Sequence, residues 1–144
     1  MTLQRPAPFD LVVDTSAIMA LLLGESTAEV VTGALRASRA PVISAPTVLE
    51  LSMVASTRLS GDTPDTGAIA ARGILDAADV LTIDIGQQLV DVAFDGWLKF
   101  GKGRHPAALN FGDCFSYALA REYELPLLCV GAGFARTDLP ALVP

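Results

Sequence analysis

The feature that most constrains this chain is an apolar run near its start that contains one acid. Residues 10–25 read DLVVDTSAIMALLLGE, with Asp14 among aliphatic side chains. A carboxylate buried there without a partner would cost several kcal/mol or take up a proton. The run is shorter than the ~20 residues of a membrane-spanning helix, and the acid argues further against one. Prolines before the run make it a poor secretory signal peptide.

Composition predicts one acidic domain. The chain has 144 residues and a formal charge of −6, so it would need a local basic patch or bound cations to hold nucleic acid. Its two cysteines, Cys114 and Cys129, have no CxxC spacing. That argues against a disulfide scaffold and a zinc site, and predicts a cytoplasmic, reducing location. We expect a flexible leader over residues 1–9 and a single domain over residues 10–144.

Short apolar runs alternate with helical patterns along the chain. The runs LVVD, PVIS, VLTID and LPLLCVG predict strands, and the segments between them predict helices. This alternation is typical of an α/β fold with a parallel sheet covered on both faces. Thr15 or Ser16 suits the N-cap of the first helix, and Ser26 with Glu29 suits a capping box. We expect the tail GFARTDLPALVP to be mostly irregular.

Three acids are predicted to meet at one edge of this sheet. Asp14 ends the first strand, Glu50 lies about a turn into the helix after the second, and Asp113 opens the helix after a long loop. Ligands of such sheets bind beyond the carboxyl ends of the strands. Scattered surface charge accounts for these spacings equally well, and Asp113 also suits a helix cap.

Acids gathered in this way predict a divalent metal site. Carboxylates repel one another, and an oxygen-only ligand set selects Mg²⁺ or Mn²⁺ over softer metals. Such a site suits phosphodiester hydrolysis. Few other catalysts are available, since His105 is the only histidine and neither Ser16 nor Ser116 belongs to a visible Ser–His–Asp arrangement. A haloacid-dehalogenase phosphatase normally has a second Asp at the position of Ser16, so that class ranks low.

Four segments carry a resemblance to a known family. They read VVDTSAIMALLLGE at 12–25, SAPTVLELSMV at 44–54, FGKGRHPAALNFGDCFSYALA at 100–120 and LPLLCVGAGFARTDL at 125–139. In this order they resemble the PIN-domain ribonucleases and, among these, the VapC toxins of bacterial toxin–antitoxin pairs. The resemblance covers nearly all of residues 10–140. It implies a compact three-layer α/β/α domain with a central parallel sheet.

The resemblance also implies roles for particular residues. Asp14, Glu50 and Asp113 match the metal-binding acids that activate water for RNA cleavage, and Thr15 and Ser16 match the hydroxyl positions that support them. The implied partners are an RNA substrate and a small VapB-like antitoxin that covers the acids with a basic side chain. A homodimer formed through apolar helix faces is implied as well.

The sequence departs from the family pattern at one acid. Gly133 stands where the family often has a fourth Asp, and Asp138 is the nearest candidate to replace it as a metal ligand. This departure puts a two-metal mechanism in doubt. The alternative hypothesis is a catalytically weakened PIN domain that binds RNA or antitoxin without efficient cleavage.

A local basic cluster precedes Asp113. Lys102, Arg104 and His105 suit a phosphate clamp for RNA, and Asn110 suits either an RNA contact or an ordering role in the loop. The remaining conspicuous side chains favour structural roles. We expect core or subunit packing for Trp97 and Phe100, buried apolar positions for Cys114, Cys129, Met19 and Met53, and solvated helix faces for Asp79, Asp84, Asp91 and Asp95.

Overall fold

A five-stranded parallel sheet forms the centre of the protein. The computed structural model describes residues 8–143. Along the chain its elements are β1 (Leu11–Val13), α1 (Thr15–Leu22), α2 (Ala28–Ala37), β2 (Pro41–Ser44), α3 (Ala45–Arg58), α4 (Thr66–Ala77), β3 (Leu81–Ile83), α5 (Gln87–Phe100), α6 (Phe111–Tyr123), β4 (Leu127–Leu128), a 3₁₀ turn (Phe134–Arg136) and β5 (Leu142–Val143).

The strand order is β3-β2-β1-β4-β5, and every pair of neighbours is parallel. β1 is central: Val12 pairs with Val42 of β2 on one side and with Leu127 of β4 on the other. All three residues of β1 are buried. A strand covered on both faces reads as a continuous apolar run, which is why LVV was recognisable in the sequence.

Helices cover both faces of the sheet. In one core, the helices α1, α2, α3 and α4 pack against Val13, Ile43 and Leu128 of the sheet. In the other, α5 and α6 pack against Val12 and Leu127. Successive strand residues point to opposite faces, so neighbouring positions of one strand supply different cores. The predicted three-layer α/β/α fold is confirmed.

Several local predictions were wrong. The tail is mostly irregular as predicted, but its end was not anticipated, since Leu142–Val143 pairs with β4 as a fifth strand. The predicted capping box at Ser26 is absent: α2 begins at Ala28, and its N-cap residue makes no side-chain cap bond. Met53 is not in the core, since it is 62% exposed. Met19, Cys114 and Cys129 are buried as expected, and both cysteines are free.

The predicted leader, residues 1–9, lies largely outside the described residues. At its described end Phe9 packs edge-to-face against Tyr123 of α6, with ring centroids 5.8 Å apart. No helix between residues 8 and 143 is both long and apolar enough to cross a membrane.

Candidate active site at the carboxyl edge of the sheet

Asp14 lies where β1 ends and α1 begins, and it is only 3% exposed. It is the N-cap residue of α1, so the cap is neither Thr15 nor Ser16 as predicted. Its Oδ2 accepts hydrogen bonds from the Ser16 amide at 3.1 Å and the Ser16 hydroxyl at 2.7 Å. Its Oδ1 accepts from the hydroxyl of Ser116 at 2.6 Å. Donors to both oxygens compensate for the burial of this acid.

Ser16 also ties the site to the neighbouring strand. The amide of Val130, just after β4, donates to the Ser16 hydroxyl oxygen at 2.9 Å. The Asp14 amide donates to the carbonyl of Leu128 at 3.0 Å. The end of β1 is therefore joined to the end of β4 by the backbone of Asp14 and by the side chain of Ser16.

Glu50 reaches the site from α3. Its Oε1 accepts a hydrogen bond of 2.6 Å from the Thr15 hydroxyl. A Cβ atom on Gly112 of α6 would collide with the Glu50 carboxylate, so only a glycine there permits this approach. Burial raises the pKa of Glu50, the Thr15 hydrogen bond lowers it, and the charge of Asp14 raises it further.

Asp113 enters the site from the first turn of α6, inside a capping box. Its amide donates to Oδ1 of Asn110 at 2.8 Å, and its Oδ2 accepts from the Asn110 amide at 3.0 Å. Burial raises the pKa of Asp113 to about 6. The Asn110 hydrogen bond lowers this pKa, while the charges of Asp14 and Glu50 raise it. The predicted trio of acids is therefore brought together closely enough for mutual repulsion.

The donor set of this site fits a hard divalent cation. Within residues 8–143 no three His, Cys, Asp or Glu side chains form a group that could hold a metal ion as they stand. The carboxylates nonetheless act on one another electrostatically. Oε2 of Glu50 and Oδ1 of Asp113 make no hydrogen bond within these residues, so each retains an oxygen for a cation. Oxygen ligands of this kind suit Mg²⁺ or Mn²⁺.

Asp138 lies apart from the acid trio. Its Oδ1 accepts a hydrogen bond of 2.8 Å from the Tyr117 hydroxyl, and its Oδ2 lies 3.9 Å from the guanidinium of Arg121. Tyr117 and Arg121 lie one and two turns along α6 beyond Asp113.

Two of the three basic side chains in the basic loop, residues 101–110, make their contacts away from the acid trio. The guanidinium of Arg104 lies 4.8 Å from the ring centroid of Trp97 and donates to the Leu98 carbonyl, which ties it to α5. Nδ1 of His105 accepts from the Ala107 amide at 3.0 Å, a contact within the loop. Lys102 is exposed and, within residues 8–143, takes part in no ion pair.

Asn110 has a structural role in this geometry, since its side chain caps α6. Sequence reasoning missed the parts played by Ser116 and Gly112. Ser116 lies three residues after Asp113 on the same helix, a spacing that places both on one face. That spacing was the available signal, although the contact from Ser116 to Asp14 spans 102 residues of sequence.

Comparisons with known proteins agree with this architecture. The family model of the PIN domain matches residues 11–139. A VapC ribonuclease of Mycobacterium bovis is 41% identical over 137 residues, which cover 90% of this chain and 91% of that protein. A ribonuclease VapC of Mycolicibacterium smegmatis is 36% identical over 132 residues, which cover 92% of this chain and 99% of that protein.

Solved structures show the same fold at lower identity. VapC20 of Mycobacterium tuberculosis, described as a toxin that cleaves the sarcin–ricin loop, has a TM-score of 0.72 at 20% identity. The match covers 94% of this chain and 100% of VapC20. A toxin–antitoxin complex from Klebsiella pneumoniae has a TM-score of 0.65 at 19% identity, covering 94% and 97% of the two chains. From its family model and its curated relatives, the chain belongs to the PIN-domain family and, within it, to the VapC ribonucleases.

Proposed function

We propose that this chain is a divalent-metal-dependent endoribonuclease and the toxin of a toxin–antitoxin pair. The observation that carries the proposal is the convergence of Asp14, Glu50 and Asp113 at the carboxyl edge of the sheet. The relatives of this chain, which match nine-tenths of its length, are named ribonucleases. We also propose that residues 10–144 form a single PIN domain.

The site would hold Mg²⁺ or Mn²⁺ through the oxygens of the three acids. Bound there, the cation would supply an activated water and neutralise charge on the scissile phosphate. The protein holds the ligands in place by its hydroxyl groups: Ser16 and Ser116 fix Asp14, and Thr15 fixes Glu50. RNA is the proposed substrate, and we expect Lys102 to contribute most of the loop's attraction for its phosphates.

The proposed partners are a small antitoxin and a second copy of this chain. Solved neighbours include toxin–antitoxin complexes, which supports the first partner. The antitoxin would cover the acids, and a basic side chain there would compensate their charge. Free, buried Cys114 and Cys129 suit a reducing compartment, which supports a cytoplasmic location.

A weakened enzyme is the second candidate, and the position of Gly133 favours it. Asp138, the nearest alternative acid, is engaged by Tyr117 and Arg121 rather than by the trio. Gly133 has helical backbone angles, so an Asp is conformationally allowed, but its Cβ would lie 3.1 Å from the Ala107 carbonyl oxygen. If Gly133→Asp raises the cleavage rate by orders of magnitude, the native chain is the weakened form.

The test of the main proposal is the mapping of RNA 5′ ends in bacteria that express the chain. We compare wild type with Asp14→Asn and with Asp76→Asn, which neutralises an exposed acid on α4. We expect new, discrete 5′ ends for wild type and Asp76→Asn, and none for Asp14→Asn. The same ends from Asp14→Asn would contradict the proposal.

A further inference from the structure

Phe111 is the most exposed of the large apolar side chains among the described residues. Its relative exposure is 80%, at the first position of α6. An aromatic ring this exposed contributes little to the core, so its position on the surface needs another explanation. Phe115, one turn further along α6, meets it edge-to-face with ring centroids 5.1 Å apart. That contact supports the ring while most of its surface stays open.

The location of Phe111 is the second observation. It lies directly between the N-cap Asn110 and the pair Gly112 and Asp113, which form one wall of the acid site. The capping box fixes the backbone on both sides of Phe111. The backbone of Phe111 is therefore fixed next to Gly112 and Asp113 by a rigid helix start.

The basic loop is tied by its backbone to the segment that precedes Phe111. The amide of Lys102 donates to the carbonyl of Leu109 at 2.9 Å, and Gly101 and Leu109 form a β-bridge. The start of the basic loop is thus tied to the segment that leads into Phe111. An exposed aromatic ring on a segment that adjoins a basic loop is the combination used to bind single-stranded nucleic acid, in which the ring stacks on a base and the cations attract phosphates.

We propose that Phe111 is a stacking platform for a nucleobase of the RNA beside the scissile phosphate. This inference rests on the proposed ribonuclease function and adds a recognition residue to it. Two other aromatic residues near the basic loop are less suited to the role. Trp97, on α5, is covered by the guanidinium of Arg104. Phe100 packs against His105 and Tyr117.

The experiment uses the purified full chain with Mg²⁺ and a short single-stranded RNA that wild type cleaves. We compare Phe111→Ala, Phe111→Leu and Phe111→Trp, with Ile69→Ala as a control that truncates another exposed apolar side chain, on α4. Stacking lost by truncation weakens binding by about tenfold or more. We therefore expect KM to rise by about that factor in the Ala variant, less in Leu, and to stay near wild type in Trp and Ile69→Ala.

A spectroscopic readout separates stacking from general apolar contact. RNAs carrying 2-aminopurine at successive positions around the cleavage site should show quenching at one position with wild type and Phe111→Trp. That quenching should be lost with Phe111→Ala and Phe111→Leu. Unchanged thermal unfolding of all variants is expected, because the side chain is so exposed.

The failures are distinguishable. If wild type cleaves RNA but Phe111→Ala keeps both KM and quenching, the platform is absent and the ribonuclease function stands. The platform is also overturned if Phe111→Ala leaves RNA parameters unchanged and weakens binding of a protein partner. If wild type cleaves no RNA with either Mg²⁺ or Mn²⁺, the proposed function itself fails.

Discussion

At the residue scale, Asp14 explains how an acid can be placed inside an apolar run. Three donors from Ser16 and Ser116 bind its two oxygens, so its charge is solvated by the protein itself. The cost of burying the group is reduced in advance, and its orientation is fixed before any ligand arrives. A carboxylate prepared in this way is suited to hold a cation.

Ser116→Ala tests the support that Asp14 receives from α6. The variant leaves Oδ1 of a buried carboxylate without a donor, which should lower the free energy of unfolding by about 1–3 kcal/mol. Ser52→Ala is the matched control, because the Ser52 hydroxyl bonds only to a carbonyl of its own helix. Urea denaturation measures both. An equal effect of the two substitutions would show that the Asp14 contact contributes nothing specific.

Asp113 predicts how stability depends on pH in the absence of metal. In the folded protein the pKa of its carboxyl is about 6, mainly through burial, against an ordinary value of 3.8. The folded state therefore binds more protons between these two values, and stability falls as pH rises across that window. Cleavage has the opposite dependence, because only the ionised carboxylate can hold a cation, so lowering the pH should weaken cation binding and reduce activity.

Asp113→Asn should remove this titration while its Oδ1 preserves the bond from the Asn110 amide. At pH 7 without metal, we expect the variant to be more stable than wild type by on the order of 1–3 kcal/mol. Urea denaturation across pH 4–7 measures the difference, with Asp76→Asn as a control. A variant that is less stable at pH 7 would contradict the cost inferred for this carboxylate from its burial and from repulsion by the other two acids.

At the scale of elements, α6 brings the site together. Its N-terminus is closed by the capping box of Asn110 and Asp113. Gly112 has no side chain, which lets the Glu50 carboxylate approach the helix, and Ser116 donates a hydrogen bond to Asp14. These contacts join α6 to α3 and to the end of β1. Small changes in the first turn of α6 should therefore affect the acids more than they affect the fold.

Gly112→Ala tests this role of α6. The new Cβ would collide with the end of the Glu50 side chain, which can swing away, so we expect a folded protein that has lost most of its cleavage activity. Gly73→Ala on α4 is the control. Its Cβ meets no atom within 4 Å, and the change should stabilise the protein by about 0.5–1 kcal/mol. Wild-type activity in Gly112→Ala would contradict the close approach of Glu50 and α6.

Sequence patterns predicted the elements whose signal is local. β1 was recognisable because burial on both faces makes it continuously apolar, and Asp14 because it interrupts that run. β5 was missed because its two residues carry too short a pattern and form a strand only beside β4. Gly112 was missed because its role depends on how α6 meets α3, which no local spacing specifies. The spacing of Ser116 from Asp113 places it on the same helix face, but its partner Asp14 is set by how α6 meets β1. The position of Arg104 over Trp97 is of the same kind.

At the scale of the whole molecule, α5 presents an unpartnered apolar stripe. Val90, Phe94 and Leu98 recur every four residues and are 42%, 56% and 42% exposed. Residues at this spacing lie on one helix face. Contiguous exposed apolar surface of this kind is typical of a protein–protein interface. We therefore place the proposed homodimer contact on α5.

Phe94→Glu should convert this dimer to monomer. A charge introduced at the centre of an apolar interface has no partner there and loses its hydration on association. Light scattering after size-exclusion chromatography measures the mass, and Ile69→Glu, a similar change on α4, is expected to leave the dimer intact. A dimer that survives Phe94→Glu, or that dissociates with Ile69→Glu, would contradict the assignment of the interface to α5.

The central claim is that Asp14, Glu50 and Asp113 act as one cation-dependent centre for RNA cleavage. The most direct measurement is cleavage of a single-stranded RNA by the purified chain, with its ends identified, in Mg²⁺ and after chelation. We expect wild type to cleave only with the cation and, because water attacks the phosphate, to leave no 2′,3′-cyclic phosphate. Asp14→Asn and Asp113→Asn should both be inactive. Cleavage by wild type in chelator, or by either variant at the wild-type rate, would contradict the account.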